Sequence, residues 1–67
     1  MGTVEPLSPI GERLAMHRRN CGLTQRELGE LVGRTGEWVR KVEAGQHEID
    51  RVSVLRRVEA TLNAKLL

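Results

Sequence analysis

The side chains of this chain able to do chemistry cluster between Thr24 and Arg51. Glu37, Arg40, Lys41 and Ala44 fall on one face of a helical repeat, opposite Val39 and Val42. That face is suited to polar recognition. Arg or Lys donates well to O6 and N7 of guanine, and a carboxylate accepts from N4 of cytosine. For each of these charges the alternative is an ordinary solvated surface residue. Nine of the eleven basic residues are Arg, the exceptions being Lys41 and Lys65, and a guanidinium suits bidentate contact with phosphate and guanine.

Catalysis is not expected. The 67 residues hold no Ser/His/Asp or Cys/His set at plausible positions, no phosphate-binding glycine loop and no metal-ligand cluster. So short a chain also cannot enclose a substrate pocket. Neither cofactor nor metal is expected. The lone Cys21 cannot form an intrachain disulfide, and neither His17 nor His47 stands at ligand spacing from it. It is expected to close the first helix as a small apolar residue. No run is long enough to cross a membrane, the N-terminus lacks a signal-peptide pattern, and Pro6 breaks the myristoylation motif that Met1-Gly2 would open. The expected location is cytoplasmic, at the nucleoid. The formal net charge of +2 permits nucleic-acid binding without demanding it.

The elements that must position these residues are short helices. Residues 1–7 are expected to be a disordered lead-in, and Ser8-Pro9 starts a first helix running to about Asn20, with Ile10, Leu14, Arg18 and Cys21 along one side. Thr24 and Glu27 make a capping box for a second helix with Leu28, Leu31 and Val32 as its apolar face. Gly33 is placed to end it in a left-handed conformation. Thr35 caps a third helix, whose inward residues are Val39 and Val42, and Gly45 stops it. Gly29, in mid-helix, costs about 1 kcal/mol relative to Ala, a loss that makes sense where another helix crosses closely. After a polar loop, Gln46 to Asp50, a last helix from Asp50 or Arg51 to Leu62 carries Val52, Leu55, Val58 and Leu62 as a stripe. The tail, 63–67, could continue the helix, fray or begin an edge strand, and Leu66-Leu67 could be a dimer contact. The spacing of Gly29, Gly33 and Val39 is that of a helix-turn-helix, set against a generic pair of antiparallel helices. The fold class is all-α, a bundle of four to five short helices spanning residues 8–62.

The stretch GLTQRELGELVGRTGEWVRKVEAG resembles the XRE, or lambda-repressor-like, helix-turn-helix family. The likeness rests on Gly22, Leu23, Thr24, Gln25, Leu28, Gly29, Gly33 and Thr35, then Val39, Val42, Glu43 and Gly45, and extends from about Ile10 to Leu62. The resemblance implies sequence-specific binding of double-stranded DNA by a transcriptional regulator, working as a homodimer on a two-fold site. It places base-edge contacts on Gly36, Glu37, Arg40 and Lys41, Gly36 serving by close backbone approach. It places a phosphate contact on Gln25; Thr24 and Thr35, which capping alone would explain, and Arg34 in the turn with Gln46, His47 and Arg51 after the third helix are further candidates. It also implies an Arg18–Glu43 ion pair between the first and third helices, the alternative being two solvated charges. Glu37 either reads cytosine or filters against other sequences. Trp38 is expected to pack at the core edge. The loop after Gly45 departs from the family in having Ile49 where proline is common. A DNA-binding antitoxin component, or a protein-interaction module that keeps the fold, are the alternative functions, with room for further domains or a protein partner.

Overall fold

Local chemistry sets where each helix begins and ends. Thr24 Oγ1 accepts from the backbone N–H of Glu27, and the Glu27 carboxylate accepts in return from the N–H of Thr24, so a reciprocal box opens the second helix. Thr35 Oγ1 caps the third helix by accepting from Trp38 N–H at 3.1 Å. In the computed structural model, which describes residues 9–66, the helices are α1 (Pro9–Asn20), α2 (Gln25–Leu31), α3 (Gly36–Glu43) and α4 (Val52–Leu62). The expected Ser8 cap, the lead-in over residues 1–7 and Leu67 lie outside the described residues.

One kind of stop recurs. After α2, the N–H of Arg34 bonds back to Gly29 O and that of Gly33 to Glu30 O, with Gly33 at φ +75°. The same 6→1 and 5→2 pair follows α3, with Gly45 at φ +78°. α4 ends likewise on Asn63 at φ 54°, a non-glycine residue in the left-handed region. That turn redirects the tail.

The core joins Leu14 of α1, Leu28 of α2, Val39 and Val42 of α3, Val58 and Leu62 of α4, and Val32 and Leu66 from the connecting and terminal segments. Several expected positions differ. Leu31 is 55% exposed, because the side of α2 turned toward α3 carries Gly29, which meets the Thr35–Gly36 backbone instead. Val52 is 64% exposed at the start of α4, while Val54 and Leu55 pack against the core. Cys21 is exposed in the turn after α1, its Sγ 3.7 Å from Leu62 O. Leu66 is buried in the chain's own core rather than offered to a second copy. Its N–H donates to Glu59 Oε2 at 2.8 Å and its carbonyl accepts from Arg13 Nη1 at 3.1 Å. No helix among the described residues is long and apolar enough to cross a membrane.

Candidate nucleic-acid interface

The outward face of α3 is built from the inside. Val39 and Val42 are buried, so Glu37, Arg40, Lys41 and Ala44 turn to solvent. The orientation of α3 is fixed further by Glu43, which shares no face with them. Arg18 Nε donates to Glu43 Oε2 at 2.6 Å, and Arg18 Nη2 to Oε1 at 3.1 Å. The Gln25 amide nitrogen donates to the same Oε1 at 2.9 Å. Arg18 Nη1 reaches the Leu23 carbonyl at 2.8 Å. The Arg18–Glu43 pair thus ties α1, the α1–α2 turn, the start of α2 and the end of α3. The Arg18 and Glu43 side chains retain 11% and 7% of their exposure, a setting in which charges must be paired and hydrogen-bonded.

Close backbone approach does the rest. A Cβ on Gly29 would lie 2.5 Å from the Thr35 carbonyl, and one on Gly36 would lie 2.9 Å from Arg26 Cα. Contact with α2 is thus by itself a physical reason for glycine at position 36, apart from any approach to an outside surface. Gly11, which no turn or cap signal marks in the sequence, does the same for α1. A Cβ there would lie 2.6 Å from Val42 O, at the end of α3.

The outward charges are not all independent. Arg40 Nε donates to Glu37 Oε1 at 3.0 Å and Nη2 to Oε2 at 2.6 Å. Hydrogen bonds from Arg40, reinforced by its positive charge and that of Lys41, hold the Glu37 carboxyl below its ordinary value. The spacing of three residues in the sequence is itself the signal for this pair. The Arg34 guanidinium lies over the Trp38 ring, 5.3 Å from its centroid, and Trp38 packs half-buried against the core. Arg26 pairs with Glu30 at 3.3 Å on the exposed side of α2.

Among the other candidates, Thr24 and Thr35 serve as caps, and each hydroxyl keeps its own proton to donate. Gln46 and Arg51 are exposed in the α3–α4 connection, and exposed His47 lines a shallow groove there with Ile10, Gly11 and Ile49. Among the described residues, no group of three or more His, Cys, Asp or Glu side chains is placed to hold a metal ion.

Two short helices joined by a glycine turn, the second braced by a buried ion pair and presenting charge outward, define a helix-turn-helix fold. The profile of the helix-turn-helix domain family matches residues 9–65, and the chain belongs to that family. Among solved structures it is similar to a chain of the SinR protein/SinI protein complex, with a TM-score of 0.74 and 24% sequence identity. The match covers 85% of this chain and 55% of that one, so the present chain spans about half the length of its neighbour. A likeness at this identity speaks for the fold alone. No curated protein matches the sequence.

Proposed function

We propose that this domain reads double-stranded DNA sequence-specifically as part of a transcriptional regulator, with α3 in the major groove and the start of α2 on the phosphate backbone. The observation that carries this reading is the division of α3 into an inner side fixed by Val39, Val42 and Glu43 and an outer side of Glu37, Arg40 and Lys41. A recognition helix must be held rigidly while its polar side chains reach base edges. Gln25 is partly committed to Glu43 but keeps one amide proton for a phosphate, which would couple the backbone contact to the position of α3. Arg34, stacked on Trp38, and Lys41 supply sequence-independent attraction, with Thr24, Thr35, Gln46, His47 and Arg51 as further phosphate candidates. Binding as a homodimer would place two half-sites about 34–36 Å apart.

Selection from a randomised duplex pool, followed by Trp38 fluorescence titration of the winners at several salt concentrations, tests the reading. Enrichment of a two-fold site with steeply salt-dependent affinity supports a dimeric reader. Enrichment of one half-site supports a monomer, and no enrichment rejects the assignment.

A second reading is a protein-interaction module. It is favoured by the small net charge, the neutralisation of Arg40 by Glu37, and the exposed Met16, Leu31 and Val52. The similar solved chain is itself described in complex with a second protein. Arg40→Glu together with Lys41→Glu separates the two readings. A DNA reader loses duplex binding with its melting curve unchanged, whereas an interaction module has no such binding to lose.

A further inference from the structure

Glu37 and Arg40 face solvent from neighbouring turns of α3, and the carboxylate occupies one particular edge of the guanidinium, that of Nε and Nη2. A guanidinium carries five N–H donors in one plane. With Nε and one Nη2 proton committed, both protons of Nη1 and the second of Nη2 remain. Nη1 and Nη2 form the distal edge of the side chain, whose two donors match O6 and N7 of a guanine.

We propose that Glu37 is a specificity-determining residue that acts through Arg40. By holding the Nε–Nη2 edge, it leaves Arg40 the distal edge for guanine and withdraws it from general phosphate binding. The inference rests on the DNA-reading assignment above. Two effects follow from the geometry. An unpaired Arg on α3 would be a long, mobile cation able to gain from any phosphate. A carboxylate at hydrogen-bond distance cancels that gain, because it is repelled by the same phosphates. The pairing also orders the Arg40 side chain before any base is met, so less of its freedom is lost on binding.

The pair is an exposed one, its Arg40 and Glu37 side chains 46% and 59% accessible, so it adds little to folding and stability does not explain it. Lys41, the next residue, has no carboxylate partner among the described residues. It remains available to phosphate. One acidic residue thereby separates a base-reading cation from a backbone-binding one.

The test is a double-mutant cycle of Glu37→Ala and Arg40→Ala on the full chain. Affinities are read against the duplex selected by the wild type, its single-base variants and an unrelated duplex, over a range of salt. Glu37→Ala is expected to tighten binding to the unrelated duplex and to steepen its salt dependence by about one phosphate contact. It should also lower the preference for guanine at one position by roughly tenfold, leaving the other positions alone. With Arg40→Ala already present, adding Glu37→Ala should leave the base preference unchanged, and what remains on the unrelated duplex is the loss of one carboxylate's repulsion. A change of base preference on adding Glu37→Ala to Arg40→Ala would make Glu37 act independently of Arg40 and overturn the proposal, as would an unchanged guanine preference in Glu37→Ala alone. If the wild type prefers no duplex, the DNA-reading assignment fails first and this proposal falls with it. Superimposable melting curves for all four proteins show that the fold is held.

Discussion

Glu43 accepts three hydrogen bonds where almost no water reaches it, so its partners matter more than their number suggests. Removing Arg18 leaves a buried carboxylate with the Gln25 amide as its remaining side-chain donor, and breaking such a pair costs about 3–5 kcal/mol. Arg18→Ala should accordingly lower the melting temperature by well over 10 °C, at roughly 4–8 °C per kcal/mol for a domain of this size. A thermal melt followed by circular dichroism checks it, and an unchanged midpoint would remove the pair as a determinant of the fold. Glu37 is the opposite case, a carboxylate paired in open water. Its folded pKa lies below the unfolded one, so whatever it contributes is present above the unfolded value and is lost as pH falls through the folded one. In an NMR titration the Glu37 carboxyl should have a midpoint below the ordinary glutamate value, and Arg40→Ala should raise it toward that value.

At the scale of the elements, packing of α2 on α3 depends on glycine at positions 29 and 36 more than on any apolar side chain of α2 except Leu28. In an isolated helix, Gly29→Ala would gain about 1 kcal/mol. Here the new methyl would meet backbone atoms of Thr35 at 2.5 Å, which cannot rotate away. The sign should reverse, with a loss of about 1–3 kcal/mol in chemical denaturation, and Trp38 emission should shift because its helix moves. The stops and caps of α2 and α3 were legible in the sequence because Thr24, Glu27, Gly33, Thr35 and Gly45 act on their immediate neighbours. Gly29 was legible as a close approach, though what approaches is the start of α3 and its cap. The exposure of Leu31 was not legible, because the spacing of apolar residues marks a face without saying how wide its cover is. Of the three apolar residues, the cover reaches Leu28 in the helix and Val32 just after it, and leaves Leu31 outside. Of the outward face, the phase was legible from Val39 and Val42, while the Glu37–Arg40 coupling needed side-chain geometry.

Closure of the whole molecule depends on its last described residues. Asn63 turns the chain out of α4, and Leu66 then fills the core beside residues nearly the full length of the sequence away. Its backbone is fastened on both sides, by Glu59 and by Arg13. No local pattern announces this, since it depends on contacts between the first helix and the tail. A domain of this size has only a few kcal/mol of stability from its core. Leu66→Ala should remove about 2–5 kcal/mol of it, the range for truncating a fully buried leucine, and should bring the urea midpoint sharply down. Because Leu66 packs within its own chain, that loss should be the same at low and high protein concentration. A leucine serving a dimer contact would behave differently, its effect growing with the concentration at which the wild type is assembled. Denaturation of the wild type and Leu66→Ala at protein concentrations about a hundredfold apart therefore decides whether the tail completes the fold of one chain or joins two.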